Sequence, residues 1–494
     1  MRKISFIILF FFGFLLQSFA QNETDALRYS LVTPGGTARF VSMGGAFGAL
    51  GGDFSTLSTN PAGIALYRSN EFTITPNLNF NKVESSFFGN MDEDIKYDFG
   101  MGNIGFVIAF AEPDQLKDEG WIGFQIGFGL NRHMNFNSRK IYEGFNTERS
   151  MMNVFLEKAN MESNFNSDYP QEFLDDFTTG LAWDTWLLGL DTVNNSYFID
   201  LDDNVLQRRI TNTSGSLREM TLSLGGNYSN RLYLGATFGF PLVRFEEEYT
   251  YTEVDSENLS EEFNSLEFRE NLQTTGSGFN FKIGAIFRAT DMIRLGAALH
   301  TPTFYSLEDN WRTRMKSDLV INNVRETRDV SSPRLITDYE LNTPLRLIGS
   351  FGLVFGTNGI LSFDYEYADF TQMRLRSSET SFSHENSVIK ESFQAQHNLR
   401  VGGEVRLHPV ILRGGYAFST NPYESDEYGF ETSTLSAGIG LRDQSYFVDF
   451  GFFQTMYSQD FHPWYHFTGE RNDATVVDYD FTQSGFMMTV GFRF

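Results

Sequence analysis

Charged side chains recur at alternate positions in the last quarter of the chain, within segments that have the period-two pattern of β-strands. The charged positions in this pattern are Arg400, Glu404, Arg406, Arg442 and Arg493. One hypothesis is that Arg400 binds a ligand carboxylate through charge-assisted hydrogen bonds. The alternative is a structural ion-pair network with Glu404, Asp449 or Asp53. The chain has 63 acidic residues against 38 Lys and Arg, so acidic partners are abundant and the sequence favours the network.

The other reactive side chains form no catalytic pattern. The 7 histidines are scattered, and His462 and His466 stand four apart in a segment that Pro463 interrupts. Because proline breaks a helix, this pair is not expected to bind a metal as a helical motif does. We find no nucleophile elbow, no phosphate-binding loop and no set of Ser, His and acid. We therefore expect no enzymatic activity, no metal and no cofactor.

Apolar and polar residues alternate through most of the chain after residue 70, which predicts strands. We predict them near 71–86, 98–111, 120–137, 208–228, 231–250, 273–288, 292–306, 335–355, 359–374, 391–407, 410–419, 431–442, 445–456 and 476–494. In the final segment the apolar residues of one parity are Phe486, Met488, Val490, Phe492 and Phe494. An apolar row that ends on an aromatic residue is what a lipid-facing closing strand requires.

The connections between these strands alternate in length. From the fourth onward the even-numbered connections are tight, namely 229–230, 289–291, 356–358, 408–409 and 443–444. The long, polar ones are 138–207, 251–272, 307–334 and 457–475. Short periplasmic turns opposite long external loops are typical of outer-membrane proteins. The sequence therefore predicts an all-β fold over 71–494, a transmembrane antiparallel β-barrel of about 14 strands.

The N-terminal segment and the overall charge predict where the protein resides. Arg2 and Lys3 precede an apolar core at 4–16 and a small-residue site ending at Ala20, which together predict a signal peptide over 1–20. The net charge of −25 argues against a nucleic-acid partner. We expect a protein of the Gram-negative outer membrane whose partners are membrane lipid and, during biogenesis, the barrel-assembly machinery.

The segment 21–70 precedes the first predicted strand and has a different composition. Its stretch ARFVSMGGAFGALGGDFSTLSTNPAGIAL is rich in Gly, Ala and Ser, with apolar residues at helix-like spacing. Small residues allow close packing against an inner wall that is itself rich in glycine. We therefore predict that 21–70 folds into the lumen as a hatch, or plug.

The stretches MGGAFGAL and TNPAGIA, placed ahead of about fourteen strands, resemble the FadL-type outer-membrane transporters of long-chain fatty acids and other hydrophobic molecules. The residues that carry the resemblance are Gly44, Gly45, Asn60, Pro61 and Ala62. The resemblance implies a monomeric barrel plugged by the hatch, an apolar binding site in the lumen and a lateral exit at a kinked third strand. Gly123, Gly127 and Gly129 lie in the third predicted strand and are candidates for that kink. The alternative explanation, which fits equally well, is that these glycines leave room for the hatch to pack against the wall.

The loop 138–207 is the largest insertion and has helical patterns. Its apolar residues Trp183, Trp186 and Leu187 are candidates for capturing a hydrophobic ligand, although the same faces would also pack together as a stable lid.

Two functions fit the sequence, and a third fits less well. The first is passive transport of hydrophobic small molecules with lateral exit. The second is a non-transporting barrel that binds a protein partner in outer-membrane assembly or secretion. Energy-coupled uptake of haem or siderophores is less favoured, because it requires a larger plug and more strands.

Overall fold

The computed structural model describes most of the chain after the predicted signal peptide. The described residues are 23–33, 35–111, 119–147, 149–162, 171, 173–200, 204–257, 259–425, 429–463 and 476–494. The predicted signal peptide and its cleavage site lie outside these residues, as does His466.

Within the described residues, fourteen antiparallel wall strands form a closed β-barrel, as the sequence predicted. Some wall strands consist of more than one segment. The segments are β1 (Glu71–Phe87), β2 (Asn90–Ala111), β3 (Trp121–Asn135), β4 (Ser138–Asn146), β5 (Gly189–Asp191), β6 (Ser196–Phe198), β7 (Val205–Tyr228), β8 (Leu232–Val254), β9 (Phe263–Arg288), β10 (Ile293–His300), β11 (Phe304–Ile321), β12 (Val324–Ser331), β13 (Leu335–Asn342), β14 (Arg346–Phe355), β15 (Gly359–Asp369), β16 (Arg374–Arg376), β17 (Ala395–Leu407), β18 (Val410–Ser419), β19 (Thr432–Arg442), β20 (Tyr446–Phe461) and β21 (Val477–Arg493). The helices are α1 (Glu23–Ser30), α2 (Ala38–Ser42), α3 (Met151–Glu162), α4 (Thr179–Asp184) and α5 (Ser383–Ser392), with 3-10 helices at Phe54–Ser58, Pro61–Leu66 and Phe370–Gln372.

The last strand closes the barrel on the first. β21 pairs with β1 from Glu71 opposite Arg493 to Ser86 opposite Asp478. The predicted lipid-facing row of β21 points outward, with Phe486 55% and Phe494 67% exposed. Pairing of the two ends satisfies the backbone groups that an open edge would leave without partners in lipid. Among the described helices, none is long and apolar enough to cross a bilayer.

Several segments that the sequence assigned to loops are strands that extend the wall. β8 continues to Val254 and β9 begins at Phe263, so most of 251–272 is strand. The predicted loop 307–334 is largely the β11–β12 hairpin, and the first connection is only Phe88 and Gly89, because β2 begins at Asn90. The outward face of the β9 and β11 extensions is mainly polar, and on the buried face of β11 polar residues such as Asp309 and Thr313 stand between the apolar ones. The period-two apolar row on which the strand predictions depended is therefore interrupted.

The N-terminal segment lies inside the barrel. Three of its short helices begin at a residue whose side chain caps the first turn: Thr37, Asp53 and Asn60 accept hydrogen bonds from Phe40 N, Ser55 N and Ala62 N, respectively. Between the helices the backbone reverses at four glycines with positive φ, Gly44, Gly45, Gly51 and Gly52. L-residues with side chains rarely adopt this conformation, so glycine is required at such turns.

The segment between β4 and β7 forms a partly helical external lid. The predicted loop 138–207 begins with β4, which pairs with β7, so the lid proper starts after Asn146. The apolar faces of α3 and α4 pack on the extended strands in one cluster that includes Met151, Phe155, Leu181 and Phe268. Because α3 and α4 bury their apolar faces in this cluster, the lid is held mainly by apolar packing.

Candidate functional site

The second part of the hatch, 53–67, fits against glycines of the wall. A Cβ added at Gly235 would lie 2.2 Å from Pro61 O, and one at Gly284 would lie 1.9 Å from Asn60 Oδ1. Gly127 has a similar role, because its Cβ would lie 2.8 Å from Ile64 Cδ1. The wall glycines therefore let the hatch backbone approach more closely than any side chain would permit.

Asn60 connects this part of the hatch to its neighbours. Its side chain is fully buried, and its Nδ2 donates to Gly48 O at 2.6 Å and to Ala285 O at 3.2 Å. Its Oδ1 accepts from Ala62 N at 3.1 Å, which caps the helix that Pro61 begins. One side chain thus joins two hatch segments to the wall.

The first part of the hatch, 37–51, is held by polar contacts. Gly44 N donates to Ser436 Oγ at 3.0 Å, and Gly48 N donates to Asp364 Oδ2 at 2.8 Å. Gly45 N donates to Phe40 O at 3.1 Å and closes the turn after α2. The structure therefore places Gly44 against the wall and Gly45 inside the hatch turn.

Four of the predicted lumen charges belong to two separate groups, and the fifth, Arg493, pairs with Glu71 at 2.9 Å. Glu404 is paired with Arg39, Arg406 and Arg413 at 3.0, 2.8 and 2.9 Å. Asp449 is paired with Arg413 at 2.6 Å and lies 3.9 Å from Arg442. Since Arg39 lies in α2, this group ties the hatch to the wall.

Arg400 is not part of that group. It pairs with Glu366 at 2.6 Å, and Arg346 pairs with the same carboxylate at 3.1 Å. Asp53 bonds to Thr37 Oγ1 at 2.8 Å within the hatch. Arg400 thus forms the predicted kind of ion pair, but with none of the predicted partners, because a strand pattern gives the face of a residue and not its height relative to residues on distant strands.

A small cavity lies in the lumen between the hatch and the wall. It has a volume of about 50 Å³, which is room for roughly three water molecules. Polar residues outnumber apolar ones in its lining, and they include His133, Glu219 and Lys282. His133 Nε2 lies 3.1 Å from Glu219 Oε2, and His300 Nε2 lies 2.7 Å from Thr59 O of the hatch. The lining thus differs from the apolar site that the resemblance implies.

The wall has a discontinuity beside this cavity. β2 and β3 pair only from Asn103 opposite Asn131 to Ala111 opposite Gly123. Residues 90–102 of β2 pair with β1 alone, whereas β4 pairs with β7 alone. We call this interval, where 90–102 faces 132–146 without a backbone ladder, the seam.

The seam begins beyond the glycines that the sequence proposed for a kink. β3 shifts register against β7 between Arg132 and Met134, and again near Gly123 at the other end of the strand. Gly127 and Gly129 lie in unbroken register, where an added Cβ at Gly129 would lie 2.5 Å from the ring of Phe54. The register shift between Arg132 and Met134 includes His133, which also lines the cavity.

The three candidate residues of the lid have different environments. Leu187 is buried in the lid core, and Trp183 packs edge-on against Tyr197 with ring centroids 5.9 Å apart. Trp186 is 46% exposed and has a positive φ of 63°. The guanidinium of Arg328 lies 3.4 Å from the centroid of its ring. Trp186 is therefore the member of the three that faces solvent.

Comparisons with known proteins identify the fold. No protein-family model matches the sequence, and no curated protein matches it. A solved structure of a FadL homologue from Pseudomonas aeruginosa matches with a TM-score of 0.57 and 14% identity, covering 94% of this chain and 99% of that chain. The toluene transporter TodX from P. putida matches with a TM-score of 0.55 and 13% identity, covering 93% of this chain and 99% of that one. The chain thus has the fold of FadL-type transporters over nearly its whole length.

Proposed function

We propose that this chain, with its FadL-type fold, carries hydrophobic small molecules across the outer membrane and releases them sideways through the seam. The observation that carries the proposal is the position of the seam next to the lumen cavity, since His133 belongs to both. A ligand in the cavity would have a path to lipid that breaks no backbone ladder. The proposed path is passive, because it calls for no reaction and no cofactor.

The proposed ligand is a long-chain fatty acid or a similar amphiphile. Pockets that hold ligands of that size measure roughly 300–1,000 Å³, whereas the cavity measures about 50 Å³. The hatch must therefore move before the ligand enters, and this movement is the proposed slow step. The polar lining near Lys282 and His133 supports a ligand with a polar end over a bare hydrocarbon. Trp186 is the proposed point of first contact outside.

The test is uptake of a labelled long-chain fatty acid and of labelled toluene by outer-membrane vesicles that contain or lack the protein. We expect faster accumulation of the fatty acid when the protein is present, and a further change when residues 36–66 are deleted. Equal accumulation of both compounds with and without the protein would contradict transport. That outcome would favour the alternative role, a barrel that binds a protein partner in assembly or secretion.

A further inference from the structure

The edges of the seam are joined by side chains instead of by a backbone ladder. Arg132 Nη1 lies 3.0 Å from Asp98 Oδ2, and Arg139 Nη1 lies 3.1 Å from Asp94 Oδ2. Lys96 Nζ donates to Thr213 O of β7 at 2.7 Å. Each of these contacts runs from β2 across the seam to β3, β4 or β7.

From these contacts we infer that Asp94, Asp98, Arg132 and Arg139, with Lys96, form a clamp that sets how often the seam opens. The inference rests on the proposed lateral exit. A continuous ladder would need many backbone hydrogen bonds to break together before its strands separate. The seam requires only side-chain contacts to be released, namely the clamp together with the hydrogen bonds of Asp92 and Asn90 to the backbone of Glu143.

The exposure of the clamp suits a closure that opens repeatedly. The side chains of Arg139 and Asp94 are 42% and 16% exposed, and those of Arg132 and Asp98 are 7% and 20% exposed. The pair of Arg139 with Asp94 reaches water through Arg139 and is weakened by solvent screening. The pair of Arg132 with Asp98 is mostly buried and is screened less. Releasing both pairs still breaks fewer contacts than unpairing a continuous ladder.

The seam also lies at a suitable height for release into the membrane. On the outer side of β2, Tyr97 is 69% and Phe99 is 75% exposed. Outward-facing aromatic residues form girdles at the membrane surface in outer-membrane barrels. An amphiphile that leaves through the seam would then have its polar end at the level of the charged clamp and its apolar chain in lipid.

The inference is tested first by distance measurements that do not depend on transport. Since the chain has 0 cysteines, spin labels can be attached at Glu93→Cys and Arg208→Cys, on opposite sides of the seam. Two populations of distance are expected. The double variant Asp94→Asn, Asp98→Asn should increase the longer population at least about 2-fold, the lower bound expected for losing two solvent-screened ion pairs. Labels at Arg208→Cys and Glu267→Cys span laddered strands and should report one distance throughout.

The matched control removes the same kind of ion pair where the ladder is intact. Asp318 pairs with Arg325 and Asp329 pairs with Arg314 on the laddered hairpin β11–β12. The double variant Asp318→Asn, Asp329→Asn should leave the seam distances unchanged. Arg139→Gln provides a second route to the open population should the first double variant fail to fold. An unchanged distribution in folded seam variants would overturn the clamp.

Fatty-acid uptake by the same variants separates the clamp from the proposed function. Faster uptake together with the longer distance supports both. A longer distance with no uptake in any variant would support the clamp and contradict transport. Uptake that continues while the seam distances stay fixed in every variant would support transport and contradict the clamp.

Discussion

The two parts of the hatch dock on the same wall, but among the described residues only the first part, 37–51, makes an ion pair with it. Both parts bring backbone against wall glycines, among them Gly415 for the first part and Gly235 for the second. Both parts also make neutral hydrogen bonds to the wall. The ion pair joins Arg39 to Glu404 at 3.0 Å. Water can replace a polar or charged partner but cannot replace close apolar contact, so we expect the first part to move more readily than the second when the lumen hydrates.

The largest expected effect comes from spoiling the steric fit. Gly235→Ala places a methyl group 2.2 Å from Pro61 O, and overpacking against backbone should destabilise the docked hatch by about 3 kcal/mol. Hydrogen exchange of the amides in 61–66 should accelerate accordingly. Gly349→Ala is the control, since a Cβ at Gly349 meets nothing within 4 Å. Equal protection in both variants would show that close approach does not hold this part.

The second prediction concerns the side chain that joins the two parts. Asn60→Ala removes a helix cap and two donated hydrogen bonds, which should cost about 2 kcal/mol. Exchange should increase in both hatch segments, and fatty-acid uptake should change more than the yield of assembled barrel. Asn60→Ser retains the cap but cannot reach Gly48 O and Ala285 O, so it should loosen the contact between segments alone. Unaltered uptake in Asn60→Ala would contradict this role.

The third prediction concerns the ion pair between the first part of the hatch and the wall. Arg39→Met removes the ion pair between α2 and the wall, but Glu404 retains Arg406 and Arg413. The cost should therefore be only about 1 kcal/mol, below that of breaking a fully isolated buried pair. A spin label at Val41→Cys should become more mobile, while one at Ile64→Cys should not. Arg442→Met, at the 3.9 Å contact with Asp449, should affect neither label.

The smallest predicted effect is a pH dependence that is confined to the lid and absent from both parts of the hatch. Asp175 accepts hydrogen bonds from Phe177 N and Thr178 N at 2.8 and 2.9 Å and pairs with Lys158 at 3.2 Å. Burial acts to raise the pKa of Asp175, but Lys158 and these donors outweigh it and hold the pKa below its usual range. The stabilisation that this lowered pKa gives the lid is complete above the ordinary aspartate pKa of about 4. It is lost as the pH falls below that value toward the lowered pKa.

Lid amides in 173–184 should accordingly exchange faster below about pH 4, the ordinary pKa range of aspartate. The hatch amides should show no such change over the same range. Asp175→Asn should give fast exchange at every pH and abolish the dependence. An acid response that persists in Asp175→Asn would assign the effect to another group.

The sequence determined most of the barrel because the patterns that predict strands and turns are local. Alternation along each strand predicted which side chains face lipid, and Phe486 and Phe492 do so. Turn residues predicted the short connections, and small residues ahead of β1 predicted a segment packed in the lumen. These patterns arise from the geometry of a few consecutive residues. The strand extensions escaped prediction because polar residues interrupt the apolar row on their buried face.

The tertiary structure alone decided how distant strands meet. Arg400 pairs with Glu366, and Glu404 pairs with Arg39. These pairs form because the stagger of the strands sets which charged residues lie at the same height along the barrel axis. The seam likewise begins at the register shift between Arg132 and Met134, which no local pattern in the sequence of β3 marks. Register and stagger depend on the closure of the whole cylinder. For this reason the seam and the cavity beside it could be located only in the folded protein.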